Sequence, residues 1–319
     1  MVSGTNGVPK RGLSSDRAVV LGRSLRDILD AHDLWSQGKS GVRANLRCAI
    51  LPDLNLERVN LRGAILVGAS FLDSNLSEAD LSGADLRGAD LRSATLYRAN
   101  LAGADLTEAN FTNAWLAEAN LAEARLQGTI FRFAQMRECG LQEAKMPRCD
   151  FTKVNLQGAV FNRASGLECD FNEADLEGAS FLYAKLHMSR FAWCGAACAN
   201  FSWAHLQGCV FTGARGRGAE FSNANLSQAD FSKSNFDEAN FRNGNLSAAD
   251  FAGAVLMGSY FGEARLMAAD FRGTNLHKAR ELTASQLIQT RTSCNTILPN
   301  GRNGPYVRGL GSEHPQSSQ

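Results

Sequence analysis

The fold class that this chain predicts is an all-β solenoid, and three regularities predict it. Every fifth residue from Leu46 to Leu276 is of a kind that buries: of 47 such centres, 25 are Leu, 17 are Phe, two are Met (Met136 and Met146) and three are small (Gly166, Ala196 and Gly216). Two positions before each centre stands a small residue, Ala in 32 of the 47 cases, with only Leu54, Val59 and Val154 larger than the rest. The residue just before the centre favours Asp or Asn, as at Asp80, Asp85, Asp90, Asn100 and Asp105. A period of five suits neither a 3.6-residue helix nor a two-residue strand, so it belongs to a coil with five-residue sides. On each side the large residue fills the axis and the small one lies where backbones come close. The Asp or Asn bonds to nearby turn backbone.

Along the chain, residues 1–13 are rich in Gly and Ser and read as a disordered tail. Residues 14–43 read as an N-terminal helical cap: Leu21, Leu25, Ile28, Leu29 and Trp35 recur at helical spacing, and Ser24 with Asp27 has the spacing of a capping box. The repeat occupies 44–280. The two residues after each centre are mostly Ser, Thr, Gln, Arg, Glu or Gly, as an outward corner requires. Both prolines inside the array, Pro52 and Pro147, directly follow a centre, in a slot that needs no ladder donor. After Arg280 the frame ends. Residues 281–299 read as a C-terminal cap, with Thr283 to Gln286 opening a short helix through about Thr290. Residues 300–319 read as a second disordered tail.

Runs such as Ala79-Asp80-Leu81-Ser82-Gly83-Ala84-Asp85-Leu86 resemble the pentapeptide repeat family, whose consensus is Ala-Asp/Asn-Leu-x-x. The resemblance covers residues 44 to 280. It implies a right-handed quadrilateral β-helix with four pentapeptides per coil, hence about 12 coils and a rod on the order of 55 Å long at a strand spacing of ~4.8 Å. Every tenth residue from Phe151 to Phe271 is Phe, which places Phe on two opposite sides of the square and mostly Leu on the other two. No single coil is stable alone, so stacking carries the stability and both ends need covers. The small centres call for compensation. At Ala196 and Gly216 this is rotation of Phe191 and Phe211, a local bulge or a small cavity; at Gly166, Leu167 swings inward.

Charge and side-chain chemistry narrow the function. The net charge is +1, and residues 44–143 carry 9 basic and 13 acidic residues, a balance that predicts neither direct nucleic-acid binding nor membrane insertion. Cys139, Cys149, Cys169, Cys194 and Cys209 all occupy the small inward slot and read as core substitutes for Ala, while Cys48, Cys198 and Cys294 lack paired metal-ligand spacing. No signal-peptide core is read ahead of the helix, and a reducing, cytoplasmic location is the expectation. His32, His187, His205, His277 and His314 form no ligand or triad spacing, although His187 and His205 fall on stacked sides. The expectation is a protein without catalytic residues, metal or cofactor.

The candidate partner site lies where the repeat departs from its own rules. The second outward position is large and apolar at only Phe133, Tyr183, Met188, Trp193 and Trp203, and four of these fall within 21 residues. Tyr183 and Trp203 stack on one corner below Arg163, in a geometry suited to a cation–π contact, with Leu182 alongside and Met188 and Trp193 on the next two corners. Exposed Trp, Tyr and Arg dominate binding hot spots, but rings lying flat over local backbone are the other reading. The function expected is a non-catalytic protein-interaction scaffold of bacterial type. The resemblance also implies two alternatives: a duplex-DNA mimic that binds DNA gyrase and protects it from quinolones, or a secreted effector that binds a host protein. A C-terminal cap that pairs two rods through Leu282, Leu287 and Ile288 is a further expectation.

Overall fold

The computed structural model describes residues 13–14, 19–20 and 22–314. Strands β1 (Leu13–Ser14), β2 (Val19–Val20) and β3 (Arg23–Ser24) lead into helix α1 (Leu25–Ser36), followed by the long repeat, which contains β4 (Leu54–Asn55), and by helix α2 (Ala284–Leu287). In the repeat, the residue before each centre pairs in parallel with the residue 20 positions on, from Asn45↔Ile65 to Tyr260↔Arg280. The chain is therefore a four-sided coil whose turns stack in register.

The hydrogen bonds explain why five residues suffice per side. From Leu46 to Phe261 each centre donates its N–H to the next coil, as Leu46 does to the Ile65 carbonyl at 2.8 Å, and the residue before the next coil's centre donates back, as Ile65 N–H does to the Ala44 carbonyl at 2.9 Å. The side ends in a tight turn closed by the small inward residue, as where Ala49 N–H reaches the Leu46 carbonyl at 3.0 Å. Its third residue has the positive φ of a type II turn. Every second outward position from Cys48 to Lys278 has φ between +54° and +68°, whether or not it is glycine.

The core is built as the columns predict. Phe171, Phe191, Phe211 and Phe231 stack at 4.7–4.8 Å between centroids on one side, and meet the opposing Phe181, Phe201 and Phe221 edge-on at 5.7–6.2 Å. Cys139, Cys149, Cys169, Cys194 and Cys209 are buried in the small slot. Burial pushes the thiols of Cys139, Cys169, Cys194 and Cys209 up to about 12, so they stay neutral. Four of the five also donate to a centre's carbonyl, for example Cys139 Sγ to Leu116 O at 2.7 Å.

Two of the three weak centres, Gly166 and Gly216, are compensated by neighbours in the stack. Phe191 and Phe211 do not rotate; they remain parallel within 6°. Instead the ring of Phe236, one coil above Gly216, occupies the space that a Cβ there would need. At Gly166, Leu167 does not swing inward and is 47% exposed; Cys169 Sγ and Met146 fill the site.

At the N-terminal end, β1 pairs in parallel with β4, continuing the ladder beyond the first coil. Leu25 and Ile28 of α1 are buried and Leu29 packs against the core, as their spacing predicts, whereas Leu21 lies outside the described residues. Ser24 is the N-cap residue but makes no side-chain capping bond, because it is held in strand β3 opposite Val19. His32 is fully buried, accepts the Ala44 N–H through Nδ1 at 3.0 Å and stacks on Trp35 at 5.2 Å. Desolvation lowers its pKa against the opposing effect of Asp33, while Arg43 lowers it further. The neutral ring is the folded form, so its stabilisation is complete above about 6.5 and is lost as the pH falls through the depressed folded value. The thermal midpoint is thus expected to drop more between pH 7.5 and 5.5 (about two units) in the natural chain than in His32→Gln, which keeps an acceptor without titrating; parallel curves would refute this.

At the C-terminal end, Thr283 forms the capping box with Gln286, but the helix stops at Leu287. Gln286 Nε2 also donates to the Phe261 and Ala264 carbonyls at 2.7 and 2.9 Å. The ladder then continues past the pentapeptide frame, with Asp270↔Arg291 and Asn275↔Ile297. Residues 300–314, expected as part of a disordered tail, fold back: Leu298 N–H bonds to Arg302 O, Gly304 N–H to Thr296 O and Asn300 N–H to Ser312 O. Tyr306 packs on the core. Leu13, the last residue of the expected N-terminal tail, instead pairs with Leu54 in β1, and the tail expectations for residues 1–12 and 315–319 fall outside the described residues.

Candidate protein-interaction surface

The corner geometry defines what the expected belt can do. Tyr183, Met188, Trp193 and Trp203 all sit at positive-φ corners and are 45%, 60%, 64% and 49% exposed. Bulky side chains are uncommon in that conformation, which glycine adopts without steric cost. The structure brings Tyr183 and Trp203 together, with ring centroids 6.0 Å apart and planes at 27°. Leu182 is half-buried beside them, its N–H held by Asn162 Oδ1 at 3.1 Å.

Met188 and Trp193 occupy separate corners and lie against the coil above. A Cβ on Gly208 would come within 2.6 Å of Met188 Sδ, and one on Gly213 within 2.5 Å of the Trp193 ring. Glycine at these two places lets each side chain fold over the next corner. Arg163 departs from the expectation. It shares the Tyr183 corner but reaches back to Glu143, with Nη1 and Oε1 3.9 Å apart, rather than over the ring. A carboxylate attracts the guanidinium more strongly than an exposed ring face does. Phe133 lies three coils below Trp193 on the same corner column, with Lys153 Nζ 6.0 Å from its ring.

Beside the Tyr183–Trp203 corner is a feature that sequence reasoning missed. Lys145, Ser165, Lys185 and His205 form one continuous column of paired residues. Around Ser165 the surface dips into an open groove lined by Glu143, Lys145, Arg163, Ser165, Tyr183 and Lys185. His187 and His205 are neighbours, edge to face at 5.9 Å. Partial burial first, then His187 and Lys185, lower the pKa of His205. Reading the residue before each centre at intervals of one coil exposes this column.

Elsewhere charge is largely paired. Arg87 and Arg92 fold onto Asp85 and Asp90 at 2.7 Å, and Arg58–Glu78 and Arg98–Glu118 stack on one corner at 2.8 and 2.7 Å. These contacts hold the Asp85, Asp90, Glu78 and Glu118 carboxyls below their usual range. Of the three residues expected to pair rods, Leu282 and Leu287 are buried in their own chain and only Ile288 is exposed. Among the described residues no three His, Cys, Asp or Glu side chains converge as a metal site would need, and no helix is long and apolar enough to cross a membrane.

Comparison with known proteins finds the family model described as Pentapeptide repeats in eight copies, over residues 42–71, 74–113, 104–142, 134–165 and 144–181. A second model, Pentapeptide repeat region, matches residues 184–280. No curated protein matches the chain by sequence. Similar solved structures include HetL, a pentapeptide repeat protein involved in heterocyst differentiation regulation from the cyanobacterium Nostoc, at 27% identity over 85% of this chain and 96% of that one, with a TM-score of 0.25. Rfr23 from the cyanobacterium Cyanothece is 27% identical over 36% of this chain and 82% of its own, with a TM-score of 0.28. Full-length QnrB1, a plasmid-mediated fluoroquinolone resistance protein, is 22% identical over 50% of this chain and 85% of its own, with a TM-score of 0.18.

Proposed function

The chain belongs to the pentapeptide repeat family, and on this footing we propose that it is a non-catalytic scaffold that binds another protein through the corner belt of Tyr183, Met188, Trp193 and Trp203, with Leu182 and Arg163 at its margin. Its body is the family's right-handed quadrilateral β-helix, of about 12 coils at ~4.8 Å each, covered by α1 and by the segment around α2. One observation carries the reading. Four large apolar side chains stand at exposed left-handed corners within 21 residues, where glycine or a small polar residue would suit the backbone better and where the rings gain little burial. The exposed Tyr183–Trp203 pair, with Met188 and Trp193 on the next two corners, is surface of the kind a protein partner buries.

The pairing of Arg87, Arg92, Arg58 and Arg98 with neighbouring carboxylates weighs against a duplex-DNA mimic, which requires dense, uncompensated negative charge. A reducing, cytoplasmic setting is part of the same proposal, in keeping with five free thiols sealed in the core.

The test is a cross-linked pull-down from a lysate of the source cells with the full chain and with a Tyr183→Ser, Trp193→Ser, Trp203→Ser variant of matched thermal midpoint. A single protein captured by the natural chain, lost from the variant and reconstituted as a purified complex is the expected result. Equal capture by both chains would reduce the belt to surface packing.

A further inference from the structure

Resting on that scaffold reading, we propose that the groove at Ser165 is the docking track for an acidic, extended peptide segment of the partner, whose carboxylates meet Lys145 and Lys185 and whose apolar residue rests on the Tyr183–Trp203 ridge. The column places two exposed lysines one above the other with the short Ser165 between them. Lys145, Ser165 and Lys185 line the groove together with Arg163 and Tyr183. Among the described residues neither lysine has a carboxylate within ion-pair distance, in contrast to Arg148, Lys153 and Arg163 on neighbouring corners. The one carboxylate in the lining, Glu143, lies 3.9 Å from Arg163, so the two lysines face the cleft without an ion-pair partner and complement an anionic occupant.

The dimensions select the conformation of that occupant. Lys145 and Lys185 are two coils apart, about 9.6 Å at a strand spacing of ~4.8 Å. A chain in the polyproline II conformation returns every third side chain to one side after about 9.3 Å. An acidic residue at every third position therefore matches the lysines, and the intervening side chains face the ridge or solvent. The track is also short: it passes from Asp85 and Asp105 through Arg125 into the lysines, and beyond His205 it continues as Asn225 and Asn245. With Glu143, Leu167 and Pro147 beside the lysines, this face fits a peptide that mixes acidic and apolar residues better than the uninterrupted phosphates of a nucleic acid.

The test pans a random-peptide phage library against the immobilised full chain, then measures recovered peptides by fluorescence anisotropy. The expected consensus has Asp or Glu at every third position with a Leu, Phe or Trp nearby. Affinity should fall by about tenfold or more in a Lys145→Glu, Lys185→Glu chain and survive in Lys145→Arg, Lys185→Arg. Both lysines are exposed, so an unchanged thermal midpoint verifies folding. A library without acidic enrichment, a consensus that binds the Glu variant as tightly as the natural chain, or displacement of the peptide by lower concentrations of single-stranded oligouridylate would each overturn the proposal. The belt variant separates the two readings. Loss of captured protein from it alone, with no acidic consensus, would sink the peptide track and leave the scaffold standing.

Discussion

Replacement of Phe191 by Ala is expected to destabilise the rod by about 3–5 kcal/mol, the usual cost of removing a core Phe, and to split its melting into two steps. Phe191 lies between Phe171 and Phe211 at 4.8 and 4.7 Å and meets Phe181 and Phe201 edge-on. Each lost aromatic pair adds about 0.5–1.5 kcal/mol to the area term. The same coil already has Ala196 at one centre, so two of its four centres would be small. In a stack where each coil touches only its neighbours, cooperativity passes through every interface in series. A coil weakened this far uncouples the section below, which has a mostly Leu core, from the Phe-rich section above. Calorimetry should show one transition for the natural chain and two for Phe191→Ala; a single transition shifted by less than a degree or two would contradict the nearest-neighbour account.

The second large effect is a pair of substitutions that rescue each other. Gly216→Leu restores the usual centre, yet it is expected to destabilise by about 1–3 kcal/mol, because the Phe236 ring already fills that volume. Phe236→Leu alone should also destabilise, by opening space over Gly216. Together they rebuild two ordinary Leu centres in one column, and the double variant should unfold close to the natural midpoint. The measurement is a double-mutant cycle in denaturant. A coupling free energy near zero would mean that the two positions are independent and that the glycine is tolerated for another reason.

The period of five made most of the fold legible. It assigned every centre and small slot, and reading in columns gave the Phe ladders. In the core, the expectations that failed concern neighbours one coil away, which are remote in sequence. Phe236 could have been recognised as the partner of Gly216, since it is the Phe outside the every-tenth series in that half of the rod and lies in the glycine's own column. His32 carries no spacing that marks its role, because its Nδ1 accepts a backbone bond from Ala44, twelve residues away. The continuation through Arg291 and Ile297 was hidden by register shifts around α2. In the candidate surface, the Tyr183–Trp203 stack followed directly from spacing. The orientation of Arg163 did not, because it depends on Glu143 competing for the guanidinium, and the lysine track did not, because no local pattern marks it.

The stacking of residues 20 apart also constrains how such a rod can change over evolutionary time. Loss of one pentapeptide keeps every centre in frame but turns everything beyond it by a quarter revolution. Between two coils with Leu centres the core would tolerate such a loss. A surface spanning several coils would not: if it fell between Lys145 and Lys185, the two lysines would end on adjacent sides, and if it fell between Arg163 and Tyr183 the Tyr183–Trp203 ridge would also part from Arg163. Loss of a complete coil shortens the rod without rotating it. Descendants of this gene that still use this face should therefore differ in length by whole coils within it. Changes of a single repeat should be confined to stretches where no partner spans the coils.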